Sequence, residues 1–245
     1  MTATLYGIPA SHPSLTGELM LRHKRVGYRR IDLVSVVHRV LLRALGFSGV
    51  TVPALRIDGT RVQGTREISQ ALDALRPQLA LFPGDPGLRR AVVDAEAWGD
   101  TVLQPVPRRL IWAGLKRDRS TITTYLEDAR TGIPVAVAKP TLGPIVAAAA
   151  RANRATDENV RGDLAALPDL IDRVDELIAA GTIGATELNA ADFQIATSTG
   201  LLSTMDDLKP LLDGRPALEH TRRVAPGYPG HLPRVFPAAW LPAAD

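Results

Sequence analysis

The residues best suited to chemistry lie near the start of the chain, in the segment GIPASHPSLTG at residues 7–17. Two serines, Ser11 and Ser14, flank His12 and Pro13 directly after an apolar run. A serine hydroxyl before a helix can accept a hydrogen bond from a backbone amide, or it can donate one to a bound anion. The sequence leaves both roles open for Ser11, and it favours Ser14 as the helix cap.

The chain contains no cysteine, which limits the chemistry that it can perform. Disulfides, thiolate metal sites and all mechanisms that need a protein thiol are excluded. The histidines show no metal-ligand spacing, so we expect no metal site. The absence of cysteine is the most specific fact in the composition.

The composition is that of a folded globular protein. The chain has 245 residues, of which 45% are hydrophobic, and this length predicts one large domain or two smaller domains that pack together. The net charge is only +3 and the arginines are scattered in pairs, so we expect no nucleic-acid partner. The apolar stretch at residues 133–150 contains Lys139 and prolines, and the chain begins without a basic and apolar leader. We therefore expect no membrane contact and a cytoplasmic location.

Short apolar runs and helical patterns alternate through the first third of the chain. The sequence predicts strands at residues 4–8 and 28–34, and helices at residues 14–24, 38–45 and 65–76. Asp58-Gly59 separates two further β-prone runs and predicts a tight hairpin turn, because both residues tolerate a positive φ. The predicted order is therefore β-α-β-α-β-β-α.

From Pro86 onward the strand signals disappear, and we expect helices followed by a proline-rich tail. Apolar residues at 167–178 recur three and four positions apart, which predicts a helix that stops at Gly181. Asn189 and Asp192 have the spacing of a capping box at the start of another helix.

Four of these features together resemble the cytosolic glutathione S-transferase family, and in particular its bacterial, serine-type members. They are the Ser-x-Pro-Ser segment after the first strand, Val52-Pro53 at the third strand, the turn VQGTREI at residues 62–68, and the capping box. The resemblance implies an α/β thioredoxin-like N-terminal domain at residues 1–82. An all-α helical C-terminal domain with a proline-rich tail would follow at residues 83–245.

The resemblance implies a detoxifying enzyme that activates the thiol of bound glutathione for attack on small, mostly apolar electrophiles. Ser11 falls at the first position of the Cys-x-x-Cys motif of thioredoxins, and in serine-type members this position holds the catalytic hydroxyl. Tyr6 is the alternative, because tyrosine-type members place a phenol near the end of the same strand. The family also implies a homodimer.

For glutathione, the resemblance implies contacts from residues around this hydroxyl. Val52-Pro53 is the expected cis-proline turn, and Thr65 is expected to hold the γ-glutamyl carboxylate at a helix amino terminus. A histidine at the position of His38 approaches the glycine end in some members. The full expected set is Ser11, His38, Val52, Pro53, Gln63, Thr65 and Arg66.

The family places the electrophile in a cleft between the two domains, and residues 97–112 form its predicted wall. The candidate side chains are Trp98, Gln104, Arg108 and Trp112. Aromatic residues at helical intervals are also typical of a core, so this assignment stays open. Pro105 and Pro107 are expected to kink the helix that contains them.

Two other functions remain open because the sequence departs from the family's pattern. Gly64 stands where the family has a polar side chain, and Glu67 replaces a small residue. Both changes are compatible with a scaffold that has lost catalysis and binds apolar ligands. They are also compatible with a transferase that uses another low-molecular-weight thiol.

Overall fold

The computed structural model describes residues 2–132 and 139–242, so that part of the apolar stretch at 133–150 lies outside the described residues. The first part of the chain has the predicted β-α-β-α-β-β-α order. Its elements are β1 (Ala3–Gly7), α1 (His12–His23), β2 (Tyr28–Asp32), α2 (His38–Ala44), β3 (Ala54–Ile57), β4 (Thr60–Gln63) and α3 (Thr65–Leu75). In the described part of the chain, no helix is long and apolar enough to cross a membrane.

The strands form one mixed sheet with the order β2-β1-β3-β4. β1 runs parallel to β2, whereas the β1–β3 and β3–β4 pairs are antiparallel. The β3–β4 turn has φ values of 44° at Asp58 and 87° at Gly59, as the predicted tight hairpin requires. This is the thioredoxin-like arrangement that the sequence predicts.

Successive side chains of a strand point to opposite faces of the sheet, and helices pack on both faces. Leu5 and Leu55 lie in a core cluster with apolar residues of α1 and α3. Tyr6 and Ala54 lie in a separate cluster with Leu42 of α2. The loops that follow β1 and precede β3 therefore emerge at one end of a sheet whose two faces are both packed.

The rest of the described chain is helical, which confirms the expected all-α region. Its helices are α4 (Pro86–Trp98), α5 (Pro105–Arg117), α6 (Leu142–Ala152), α7 (Asp157–Ala179), α8 (Ala190–Ser203), α9 (Lys209–Leu212) and α10 (Pro216–Val224). Between Val224 and residue 242 the described tail contains the short 3-10 turn Ala238–Trp240 and an isolated bridge from Leu232 to Met205, in agreement with its proline content.

The expected distortion near Pro105 takes the form of a π turn. The path from α4 to α5 stays helical, but Gly99–Leu103 forms a π-helical turn directly before Pro105. Pro105 then occupies the first position of α5. The amide at this position has no acceptor within the helix, so a proline there costs no helical hydrogen bond. The two prolines thus begin α5 and do not lie within one long kinked helix.

The buried helix α8 joins the two parts of the molecule. It packs against α1, α4 and α10. The predicted capping box is present: the Asn189 amide donates to Asp192 Oδ2 at 2.8 Å, and the Asp192 amide donates to Asn189 Oδ1 at 3.3 Å. Thr16 of α1 and Thr197 of α8 share a buried hydrogen bond of 2.6 Å. These contacts fix the helical region against the helix that follows the Ser11 segment.

Candidate functional site

A cavity of about 1010 Å³ lies between the sheet region and the helices. Its lining comes from the turn after β1, the start of α2, the loop before β3, the start of α3, one face of α5, and residues around α6. The cavity brings together segments that are more than a hundred residues apart in the chain. Ligand sites are commonly concave, largely apolar and placed between domains, so this cavity is the candidate site.

Ser11 lies on the cavity wall at the amino end of α1. Its backbone is extended, and its Oγ accepts a long hydrogen bond of 3.4 Å from the Ser14 amide. A hydroxyl that accepts this bond still has its own proton to donate. Ser11 therefore caps the helix and can at the same time donate to an anion in the cavity.

Ser14 does not have the capping role that the sequence favours for it. Its buried Oγ accepts a hydrogen bond of 3.2 Å from the Ile8 amide, and its side chain lies against Gly7. Ser14 thus holds the turn between β1 and α1, while Ser11 caps α1. The exchange of roles follows from where α1 begins, which is at His12 and not at Ser14.

Tyr6, the alternative donor, is not among the residues that line the cavity. It is 5% exposed and packs edge-to-face against Phe47, with 5.7 Å between the ring centroids. Its side chain points to the α2 side of the sheet, since it lies in the cluster with Leu42 and Ala54. The structure brings Ser11 to the cavity and leaves Tyr6 in the core.

The loop before β3 contributes Val52 and Pro53 to the wall, and the peptide bond between them is cis, as predicted. Gln63 lies behind this loop and does not line the cavity. Its Oε1 accepts from the Gly49 amide at 2.8 Å, and its Nε2 donates to the Thr51 carbonyl at 2.7 Å. Gln63 therefore supports the cis-proline loop and has little left to offer a ligand.

His38 lies on the cavity wall at the start of α2. Burial lowers the pKa of its imidazole, and the positive charge of Arg39 lowers it further. Its Nδ1 is buried and has no hydrogen-bond partner in the described part of the chain. A backbone hydrogen bond with Val50 partly offsets the lowering of the His38 pKa.

The start of α3 contributes Thr65, Gly64 and Glu67 to the wall. Thr65 is 3% exposed, and its Oγ1 donates to Asp100 Oδ1 at 3.4 Å. The Glu67 carboxylate folds back against Gly64, beside the free amides of the helix start. Arg66 does not line the cavity. Burial raises the pKa of Glu96 of α4 to about 7, and the charge of Arg66 partly opposes this rise.

The α5 wall holds three of the four expected side chains. Gln104, Arg108 and Trp112 line the cavity, whereas Trp98 packs against the main core. Both polar atoms of the Gln104 side chain form hydrogen bonds. Nε2 donates to Asp100 Oδ1 at 3.0 Å, and Oε1 accepts from Gln194 Nε2 at 3.1 Å.

Sequence reasoning missed several polar residues of the cavity, among them His12 and Asp100. His12 is 2% exposed, and its Nε2 lies 3.2 Å from the Gln104 carbonyl. Burial, followed by the charge of Arg108, holds its pKa well below the ordinary range, so it stays neutral. His12 belongs to the Ser-x-Pro-Ser segment, whose position after β1 is the signal for it, whereas Asp100 reaches the cavity through the π turn, which no local pattern indicates.

Comparison with known proteins shows that the chain is similar to the glutathione S-transferases. Residues 5–80 match the family model of the glutathione S-transferase N-terminal domain. No curated protein matches the sequence. Many solved structures share the fold of nearly the whole chain at low sequence identity.

One such structure is a glutathione S-transferase from Sinorhizobium meliloti, with 18% identity, a TM-score of 0.60, and coverage of 91% of this chain and 88% of that one. A second is the β-etherase LigF from Sphingobium sp., with 19% identity, a TM-score of 0.59, and coverage of 91% and 99%. A third is a theta class glutathione S-transferase from Xanthomonas axonopodis pv. citri with glutathione bound, with 15% identity, a TM-score of 0.51, and coverage of 91% and 88%.

Proposed function

We propose that the chain is a glutathione S-transferase, because it has the fold of that family and its residues 5–80 match the model of the family's N-terminal domain. It binds glutathione in the cavity, activates its thiol, and directs the sulfur to a small, mostly apolar electrophile. The division into domains 1–82 and 83–245 is part of the proposal. A cytoplasmic homodimer with a detoxifying role in a bacterium is the family expectation that goes with it.

The observation that carries the proposal is the placement of Ser11. Ser11 lines the cavity at the amino end of α1, in a lining that also includes the cis Val52-Pro53 turn. A free thiol has a pKa of about 8.5, and only its thiolate is a strong nucleophile. A hydrogen bond from Ser11 to the sulfur stabilises the thiolate by about 1.5–3 kcal/mol, which corresponds to about one to two pKa units.

The other lining residues fit the rest of glutathione. The backbone beside Pro53 lines the cavity, and we assign it to the cysteine backbone of the tripeptide, as the family resemblance implies. The amides at the start of α3, with Thr65, suit the γ-glutamyl carboxylate, because a helix amino terminus favours an anion. We assign Asp100, which accepts from Thr65, to the adjacent ammonium group. His38 suits the glycine carboxylate.

The test compares three substitutions of Ser11 in a conjugation assay with glutathione and a chlorodinitrobenzene. Ser11→Thr keeps both the hydroxyl and the cap. Ser11→Asp keeps the cap but puts a negative charge beside the sulfur, and Ser11→Ala removes both functions. For Ser11→Ala we expect the pH profile of kcat/KM to move up by about one to two units, so that activity at neutral pH falls roughly 10- to 100-fold.

The outcomes separate catalysis from capping. Ser11→Asp should lose at least as much activity as Ser11→Ala while it melts near the wild type, and Ser11→Thr should retain most activity. Equal rates in wild type and Ser11→Ala would remove Ser11 from the mechanism. The ultraviolet absorbance of bound thiolate gives the same answer without an electrophile.

A non-catalytic binding protein is the second candidate, and Glu67 favours it. Its carboxylate lies against Gly64, near the position where the γ-glutamyl carboxylate would bind. Calorimetric titration with glutathione distinguishes the two candidates, because a protein without glutathione affinity but with tight binding of apolar ligands fits only the second. The same titration with other low-molecular-weight thiols tests whether the chemistry uses a different thiol.

A further inference from the structure

One face of α5 forms a wall of the cavity, and Arg108 stands within its apolar part. Gln104, Arg108 and Trp112 recur four residues apart, which places them on one side of the helix. The surrounding wall is mostly aliphatic and aromatic. It includes Ile111, Trp112, Leu115, Ile122, Tyr125, Leu126, Leu142 and Ile145.

Arg108 is a cation without a partner in the described part of the chain. No hydrogen bond or ion pair joins it to any residue in 2–132 or 139–242. Its helix neighbour Arg109, by contrast, forms an ion pair of 2.7 Å with Asp163 and does not line the cavity. Arg39 also lines the cavity, but its side chain is exposed to solvent.

The groups that face Arg108 leave its charge unsatisfied. Asp100 acts on it from beyond ion-pair distance, and Asp100 Oδ1 already accepts hydrogen bonds from Thr65 and Gln104. His12 is neutral and is bonded to the Gln104 carbonyl. Burial lowers the pKa of Arg108 from its ordinary value, and the charge of Asp100 opposes this shift. Arg108 is half-buried on the cavity wall and has no partner in the described part of the chain, so its guanidinium is suited to a ligand anion.

We propose that Arg108 binds a carboxylate of the electrophile, so that the preferred substrates are apolar or aromatic electrophiles that carry one carboxylate. The guanidinium offers a planar fork that matches a carboxylate with two parallel hydrogen bonds. The adjacent apolar wall would hold the hydrocarbon part of the same molecule. This inference rests on the proposed transferase function, because it concerns the second substrate of that reaction.

The kinetic test uses a chloronitrobenzoate and its neutral methyl ester at saturating glutathione. The ratio of kcat/KM for acid over ester is measured for wild type, Arg108→Gln, Arg108→Lys and the neighbouring control Arg109→Gln. We compare ratios between variants because the ester is intrinsically the more reactive ring. We expect Arg108→Gln to lower the ratio about 10- to 100-fold.

The variants distinguish a specific effect of the Arg108 guanidinium from a general effect of the substitution on folding. Arg108→Lys should recover part of the ratio, and Arg109→Gln should leave it at the wild-type value. An unchanged ratio in Arg108→Gln would overturn the proposal. A loss of rate that is equal for acid and ester would also overturn it, since it would mean that Arg108 acts on the thiolate or on folding.

A binding experiment without glutathione keeps this test apart from the transferase proposal. Calorimetry with an unreactive nitrobenzoate and its methyl ester should show that wild type prefers the acid and that Arg108→Gln has lost the preference. If conjugation fails with every electrophile but this preference is present, the transferase function is wrong and the carboxylate site stands. If wild type binds acid and ester equally, the carboxylate site is wrong whatever the conjugation assay gives.

Discussion

At the scale of single residues, Glu67 has the largest bearing on glutathione binding. It lies in the first turn of α3, where a carboxylate stabilises the helix through the positive end of its dipole. The same carboxylate folds against Gly64, whose φ of 102° suits glycine and brings the backbone close to the cavity. Glu67 therefore stabilises α3 and repels a second anion that binds at the amino end of this helix.

Replacement of Glu67 by glutamine should raise the affinity for glutathione. Two charges about 4 Å apart in water interact by about 1 kcal/mol, so the dissociation constant should fall by up to roughly fivefold. The gain should shrink as salt is added, because the interaction is exposed to solvent. Calorimetry at two salt concentrations measures both effects. A weaker affinity in Glu67→Gln would contradict this and would assign Glu67 to the ammonium group of glutathione.

At the scale of elements, α3 and α4 meet through a buried pair, Ser69 and Glu96, each 0% exposed. Ser69 Oγ lies 2.8 Å from the Arg66 carbonyl and 2.6 Å from Glu96 Oε1. A serine hydroxyl has one proton, so it cannot donate to both acceptors. The two contacts are satisfied together if Glu96 is protonated and donates to Ser69. Burial agrees with this, since it raises the pKa of Glu96 to about 7.

Glu96 should make the protein less stable as the pH rises from about 4.5 to about 7. In this window the folded protein keeps a proton that the unfolded chain has released, so the free energy of unfolding falls with pH. Glu96→Gln should remove this fall. At pH 8 the variant should be the more stable by at most roughly 3 kcal/mol, and near pH 4 the two should be equal. Urea unfolding across the pH range measures the difference, and parallel curves would refute the assignment.

The start of α8 depends on Asp192, which is 0% exposed. Its carboxylate accepts from the Asn189 amide at 2.8 Å, from the Gly184 amide at 2.7 Å and from His220 Nε2 at 2.7 Å. Three donors on separate segments thus converge on one side chain. Asp192 links the start of α8 to α10 and to the loop after α7.

Asp192→Ala should lower the free energy of unfolding by about 3 kcal/mol or more, because it leaves buried donors without acceptors. The exposed Glu158 in the first turn of α7 provides a control, and Glu158→Ala should change stability by no more than about 0.5 kcal/mol. Denaturant unfolding gives both values. A loss below about 1 kcal/mol in Asp192→Ala would show that water replaces the carboxylate.

At the scale of the whole molecule, the tail returns to the candidate site. The Tyr228 hydroxyl donates to the Ala10 carbonyl at 2.7 Å, directly before Ser11. Ala10 has a φ of 50°, a conformation that alanine rarely adopts without support. Burial holds the pKa of Tyr228 well above its ordinary value, so the hydroxyl remains a donor. The last part of the chain thereby positions the first turn after β1.

Tyr228→Phe should reduce the conjugation rate more than it reduces stability. The loss of one buried hydrogen bond costs about 1 kcal/mol of folding free energy, while a shift of the Ser11 hydroxyl would affect the thiolate directly. Tyr28→Phe is the matched control, because Tyr28 bonds to Glu18 at 2.7 Å and does not line the cavity. The two variants should melt at similar temperatures and differ in kcat. Equal kcat values would show that the tail does not position Ser11.

The sequence by itself determined the order of the elements, the hairpin at Asp58-Gly59, the capping box at Asn189 and the absence of a protein thiol. Each of these depends on neighbours within a few positions, where periodicity, φ preferences and capping bonds are decided. The Val52-Pro53 turn was found in the same way, through a short motif and a family resemblance.

Only the tertiary structure decided which side chains share the cavity. Tyr6 and Trp98 had suitable types and spacing, but packing placed them in cores, and Gln63 was used to hold a loop. His12 and Asp100 joined the cavity because α1 meets the turn between α4 and α5. A cavity forms where elements distant in the chain fail to fill the space between them. Its lining therefore depends on how whole elements pack, which no local pattern contains.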